Sequence, residues 1–225
     1  MTKKKIFILI AVIAVFVISG CIGAWLYINR FDAGDYVEAV LDTSYKNETD
    51  LYVEITGVPE EEAEKIFDEN LDITMEGFEQ SEMPEDMLPM YRELFGEIAR
   101  NVSYTTGEPK RQEDGTYIVP VTVKSITLFT DTYGTFQTRA QEYAREVTDS
   151  VTAGGQMPTE EEMQSRIYQI YYDVLKERVD SGMLYGAARD LGVRVSKDGL
   201  RSFSINEEDM EKLDSLLIES VGGGS

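Results

Sequence analysis

Acidic side chains are the most abundant candidates for chemistry in this chain, which has 42 Asp and Glu residues and no histidine. Two carboxylates on either side of a cleft can hydrolyse a glycosidic bond. The separation of the two groups in space decides this activity, and a sequence does not give that separation. Because so many acids are present, we predict that most of them form solvated surface and that no residue is catalytic.

The absence of histidine and the presence of one cysteine, Cys21, exclude several classes of site. Ser-His and Cys-His nucleophile pairs cannot form within the chain. Zinc sites built from Cys and His are excluded for the same reason, and no disulfide can form within the chain. The chain also lacks a Walker-type phosphate loop. We therefore predict no cofactor and no bound metal.

One stretch has the spacing that opens a calcium loop, with Asp68, Asn70 and Asp72 at alternate positions. The sixth position of such a loop requires glycine for a sharp turn, and Ile73 stands there. Apolar residues around this stretch repeat at helical spacing. We predict a helix here rather than a calcium loop.

Three tyrosines lie close together on a predicted helix that follows Pro158: Tyr168, Tyr171 and Tyr172. Their rings can line a pocket between that helix and a sheet. Alternatively, they lie at the boundary of the core, with each hydroxyl reaching solvent or a backbone group. We predict these three tyrosines as possible pocket lining.

The first thirty residues predict a membrane anchor. Lys3, Lys4 and Lys5 precede an apolar run over residues 6–28, which is long enough to cross a bilayer as a helix. The positive-inside rule places the lysines in the cytosol. Residues 1–30 are therefore predicted to anchor the chain to the cell membrane, with the rest on the extracytoplasmic side.

A second interpretation of the same segment is a lipoprotein signal. The sequence Ile18-Ser19-Gly20-Cys21 resembles a bacterial lipobox, in which the peptide is cut before the cysteine and the cysteine carries the lipid. Residues 22–28 remain apolar, which favours an uncut single-pass signal anchor. Both interpretations place the remaining chain outside the cytoplasm.

The part of the chain that follows the anchor is strongly acidic. Four of the 21 basic residues and none of the 42 acidic ones lie in the first thirty positions, which leaves 17 basic against 42 acidic residues beyond them. A domain of this charge is repelled by nucleic acid, which we predict is not a partner. An envelope protein, a peptide or a small ligand fits better.

Hydrophobic periodicity predicts three helices and then a hairpin. Asp32 can cap the first helix, with Asp35 as its reciprocal partner. This helix continues to about Tyr45, and a polar break follows over residues 46–50. The next two helices begin at Pro59 and after Pro84. Apolar residues then alternate over residues 102–106 and 117–123, and Asp114-Gly115 is a typical hairpin turn between them. The alternation slips in phase near residue 124 and resumes at residues 126 and 128, which predicts a bulge and a bent sheet.

Helical spacing returns after Asp131, and Thr159 with Glu162 forms a capping box for a further helix. A second hairpin follows over residues 191–205, and Asn206 caps a closing helix. The predicted fold class is α+β, with helices packed on a bent antiparallel sheet made of two β-hairpins. The domain is predicted over residues 31–220, and 221–225 form a flexible tail.

Several segments of the chain carry a family resemblance: residues 30–37, 41–46, 56–57 with 61–64, 114–117 and 205–209. Together they resemble an uncharacterised family of membrane-anchored, lipoprotein-like extracytoplasmic proteins of Gram-positive bacteria. The resemblance implies the location and a fold similar to the cone of cystatin and nuclear transport factor two. It implies no activity and no site residues.

These observations favour a membrane-tethered, non-catalytic binding or interaction domain of unknown ligand. One alternative is a carboxylate-dependent hydrolase that acts on cell-wall glycans. The other is a structural or sensory stalk module.

Overall fold

A bent antiparallel sheet with helices on one face forms the centre of the protein, as the periodicity predicts. The computed structural model describes residues 31–79, 83–199 and 202–219. The predicted anchor over residues 1–30, with Cys21, and the predicted tail over residues 221–225 lie outside these ranges. Within them, no helix has both the length and the apolar character needed to cross a bilayer.

The helices are numbered in chain order. Their bounds are α1 Ala33–Leu41, α2 Asp50–Thr56, α3 Glu60–Glu79, α4 Leu88–Arg100, α5 Leu128–Thr152, α6 Glu160–Asp180 and α7 Glu207–Leu217. A π-helical turn, Asp42–Lys46, follows α1 directly. Capping boxes begin α1 at Asp32 and α6 at Thr159, and the Asn206 side chain caps α7, as predicted.

The sheet has the strand order β1-β3-β4-β5, and β2 also pairs with β3. Its strands are β1 Ser103–Thr106, β2 Lys110–Arg111, β3 Tyr117–Ile126, β4 Tyr185–Lys197 and β5 Phe203–Ile205. All of these pairs are antiparallel. The register between β3 and β4 shifts between Lys124 and Ile126, which confirms the predicted bulge.

One face of the sheet is buried under helices. Val119, Val121 and Val123 alternate along β3 and are fully buried, as the period of a strand requires. Helices α1 and α7 both contact β3, and α7 buries Leu213 and Leu217. The opposite face carries Lys124, Thr122 and other residues that contact solvent.

Four boundaries differ from the prediction. The first α-helix ends at Leu41 because the chain continues as the π turn, which keeps a nearly helical apolar spacing. Helix α2 lies partly in the predicted polar break. Leu128 begins α5 instead of extending β3. The sequence did not distinguish the two, because an apolar residue at position 128 fits both the strand alternation and the helical spacing. Strand β4 begins at Tyr185, earlier than the predicted start at residue 191. The sequence did not indicate this first half of the strand, because it lacks buried residues and shows no alternation.

Helices α5 and α6 form a two-helix arm. Leu128 and Thr132 are buried at the start of α5, and Ile170, Val174, Leu175 and Val179 are buried in the second half of α6. No residue from 133 to 169 is buried. The two arm helices contact each other more than any other element. The start of α6 also faces Met87 and Met90, at the start of α4, across a shallow pocket.

Candidate functional site

The π turn holds a set of polar side chains between helices and sheet. The Asp42 carboxylate accepts hydrogen bonds from the Tyr104 hydroxyl at 2.5 Å and from the Lys46 ammonium at 2.7 Å. The Lys46 nitrogen also lies 4.2 Å from the centre of the Tyr104 ring. Burial, and then the hydrogen bond to Asp42, raises the pKa of Tyr104 above its ordinary value. The Tyr104 hydroxyl therefore remains a proton donor at neutral pH.

A π turn contains one residue more than an α-helical turn and is often found at functional sites. Here the turn ends at Asn47, whose φ of 59° lies in the left-handed region. The buried Thr43 hydroxyl donates to the Glu48 carbonyl at 3.1 Å and closes the turn. The π turn therefore has a fixed backbone conformation, held by the Thr43 hydrogen bond and ended at Asn47.

Two further contacts fix the turn against other helices. The Tyr45 hydroxyl donates to the Asp214 carboxylate on α7, and burial raises the pKa of Tyr45. The Asn70 side chain on α3 donates to the Ser44 carbonyl at 3.2 Å. These bonds hold Ser44 and Tyr45 at the mouth of an apolar cleft.

The cleft lies between the π turn, α3 and α4 and has a volume of about 100 Å³. Most of its surface is carbon. Its lining residues are Ser44, Tyr45, Phe67, Asn70, Leu71, Thr74, Phe95, Ile98, Ala99 and Ile218. It is the candidate binding site that the geometry supports best, because its apolar walls meet a few converging polar groups.

The volume of the cleft limits what it can hold. A water molecule occupies roughly 30 Å³ of liquid, and an apolar cavity of roughly 150 Å³ binds benzene. The cleft is smaller than such a cavity, so its size suits one short branched alkyl group. A larger ligand would have to place its remaining atoms outside.

The three predicted pocket tyrosines lie elsewhere, around Tyr91 of α4. The ring centres of Tyr168, Tyr171 and Tyr172 are 6.4, 6.4 and 5.6 Å from that of Tyr91. The Tyr91 hydroxyl donates to the Tyr168 carbonyl at 2.7 Å. All three tyrosines are half-buried and pack against the core, and none lines the cleft. Their role as pocket lining stays a prediction.

No carboxylate of the described residues lines the cleft. Partial desolvation raises the pKa of Asp35 and of Asp214 above the usual aspartate value, although both residues keep contact with solvent. Asp68 and Asp72 lie on α3, are helical as predicted, and both pair with Arg92. Among the described residues, no group of three or more His, Cys, Asp or Glu side chains is placed to hold a metal ion.

Sequence reasoning did not identify the cleft residues as a site. Ser44 and Tyr45 fall within one of the segments that carry the family resemblance, and Asn70 falls in the stretch around Asp68 and Asp72 that is predicted to be helical. Each residue by itself looks like an ordinary helical position. The available signal was that several segments with the family resemblance lie close to residues 41–46. No spacing rule connects Ser44, Tyr45 or Asn70 to Ile218.

Comparison with known proteins supports the fold. No protein-family model and no curated protein matches the chain. The chain is similar to a solved structure from Bacillus subtilis described as "a putative lipoprotein (ycdA)", with 13% identity and a TM-score of 0.53. The match covers 83% of this chain and 56% of the other, so the protein spans about half of that neighbour's length. The similarity to the cystatin and nuclear transport factor two cone stays a prediction.

Proposed function

We propose that the protein is a membrane-tethered extracytoplasmic binding domain whose cleft at the π turn receives a short branched alkyl group of its ligand. The small apolar cleft is the observation that carries this proposal. The apolar run over residues 6–28 supports the tether. The fold shared with a protein described as a lipoprotein supports the extracytoplasmic location.

The polar side chains that line the cleft favour binding over chemistry. The Tyr45 hydroxyl is bonded to Asp214, the Asn70 amide to Ser44, and the Thr74 hydroxyl donates to the Asn70 carbonyl at 2.9 Å. Each of these groups already makes a hydrogen bond within the protein. Burial of apolar ligand surface, at about 25 cal/mol per Å², is therefore the main source of affinity that the cleft offers.

The test uses a substitution whose larger side chain occupies the cleft. Ala99 lines it and is half-buried, so Ala99→Leu places additional carbon atoms where a ligand would lie. We expect N-acetyl-leucine amide to shift the methyl resonances of Ile98 and Ile218 saturably in the full-length protein in nanodiscs. Ala99→Leu should weaken this binding by at least about tenfold, or ~1.4 kcal/mol.

The matched control is Ala144→Leu, the same change at an exposed position of the arm. It should leave the titration unchanged. If the wild-type resonances do not move, or if Ala99→Leu titrates like the wild type, the cleft is not the binding site.

The tether is tested by mass spectrometry of the protein extracted from membranes. A retained Met1 is the result expected for a single-pass signal anchor. A mature chain that begins at a diacylated Cys21 would instead establish a lipid anchor. Recovery of the full-length chain from the soluble fraction would contradict both forms of the tether.

A further inference from the structure

Strand β4 is paired along one edge only over most of its length. β3 pairs with it from Tyr185 to Val195, whereas β5 pairs with it only from Val195 to Lys197. At Arg194 the backbone groups point away from β3: the N–H donates to the Asp209 carboxylate at 3.0 Å, and the carbonyl accepts from the Asn206 N–H at 2.9 Å. The start of α7 therefore occupies the backbone groups of Arg194, and the unpaired edge of β4 stops at this residue.

Backbone groups that point to the same side of a strand recur every second residue. Gly192, Asp190 and Ala188 therefore direct their N–H and carbonyl groups to the same open side as Arg194. Within the described ranges, none of these backbone groups has a hydrogen-bond partner. The bulge next to Ala188 marks the other end of the regular edge.

This edge lacks most of the devices that protect sheet edges. Proline, lysine and a covering helix or loop commonly block such a row of backbone groups. Here the three outward positions are Ala188, Asp190 and Gly192, and only Asp190 has a side chain longer than a methyl group. Another backbone can approach to hydrogen-bonding distance and extend the sheet by one strand.

The side chains beside the edge select the chemistry of that strand. Asp190 lies on the solvent-facing side of the sheet, where it accepts from the Thr122 hydroxyl at 2.6 Å and keeps free acceptor capacity. Leu191 lies on the opposite side, half-buried beside the core. An added strand would thus place a basic side chain near Asp190 and an apolar one near Leu191. The excess of acids over bases in the domain further attracts a cationic segment.

We propose that the edge of β4 from Ala188 to Gly192 binds an extended peptide segment with alternating apolar and basic side chains. None of these edge residues lines the cleft at the π turn, so the inference does not depend on the proposed function.

The test uses fluorescein-labelled Val-Lys-Val-Lys-Val-amide and the full-length protein in nanodiscs of zwitterionic lipid. Fluorescence anisotropy measures binding, and empty nanodiscs give the blank. Ala188→Pro removes an N–H that no described group uses and blocks the approach of a strand. We expect it to weaken binding by at least about tenfold, or ~1.4 kcal/mol. Ala188→Ser keeps the N–H and should bind like the wild type.

A second measurement distinguishes strand pairing from charge attraction and does not rely on the folding of the proline variant. The same peptide with N-methyl groups on its three central residues keeps its side chains and charge but cannot donate backbone bonds from those residues. We expect it to lose at least about tenfold in affinity. If wild-type binding does not exceed the blank, or if N-methylation or Ala188→Pro in a folded variant leaves the affinity unchanged, the proposal is overturned.

Discussion

Replacing Tyr91 with alanine should lower the free energy of unfolding by about 4 kcal/mol, since truncation of a large buried aromatic residue costs roughly 3–5 kcal/mol. Tyr91 is fully buried, and its ring contacts those of Tyr168, Tyr171, Tyr172 and Phe95. The aromatic side chains around the resulting cavity are large and rigid, so they would not move in to fill it. Denaturant unfolding followed by far-ultraviolet circular dichroism measures the loss.

Two variants separate the contributions of ring and hydroxyl. Tyr91→Phe keeps the ring and removes the hydroxyl that donates to the Tyr168 carbonyl, so it should cost about 1 kcal/mol. Tyr133→Ala makes the same truncation at a residue that is 45% exposed and should cost much less. Equal losses for Tyr91→Ala and Tyr133→Ala would show that the tyrosine cluster does not stabilise the core.

Replacing Asp209 with alanine is expected to cost about 2 kcal/mol, within the range of roughly 1.5–3 kcal/mol for hydrogen bonds to a charged group, because water can replace part of the pair at the half-exposed Arg194 side chain. Asp209 is 5% exposed. Its carboxylate accepts from the Arg194 backbone N–H at 3.0 Å and from the guanidinium at 2.7 and 3.0 Å. Removal of Asp209 therefore leaves several donors of Arg194 without this acceptor, at the point where α7 meets β4.

The same pair predicts a dependence on pH. Hydrogen bonds from Arg194 hold the pKa of Asp209 below its ordinary value of 3.8. Because the pKa is lower in the folded state, the stabilisation is complete above pH 3.8 and is lost as the pH falls through the folded pKa. We expect the difference in unfolding free energy between wild type and Asp209→Ala to be constant near neutral pH and to shrink below about pH 4.

The control for Asp209 is Glu211→Ala, which removes an exposed carboxylate from the same helix. It should change stability by less than about 0.5 kcal/mol. A difference between wild type and Asp209→Ala that persists unchanged below pH 3 would show that the carboxylate stabilises through packing rather than through its charge.

Local patterns made much of the fold predictable. The period of two along β3, the turn at Asp114-Gly115 and the caps at Asp32, Thr159 and Asn206 each depend on residues within one element. The phase slip near Lys124 predicted a bulge because an extra residue changes the alternation directly. These features are therefore readable from a few neighbouring residues.

The candidate site could not be predicted because it joins distant parts of the chain. Asp42 and Tyr104 are 62 residues apart, and Tyr45 and Asp214 are 169 residues apart. A π turn leaves a helical pattern of apolar residues almost unchanged, so the sequence did not distinguish Asp42–Lys46 from ordinary helix. The free edge of β4 was also unpredictable, because the pairing of a strand depends on where its neighbours end.

The arm formed by α5 and α6 offers a place to modify the protein without disturbing its core. Its tip, residues 153–158, has a short connection between two antiparallel helices, and Gly154 adopts a φ of 91° there. Exposed connections whose ends lie close together accept foreign sequence well. A fluorescent protein or an enzymatic labelling tag inserted after Gly155 would report on the position of the domain in living cells, while cleft and sheet edge stay unmodified.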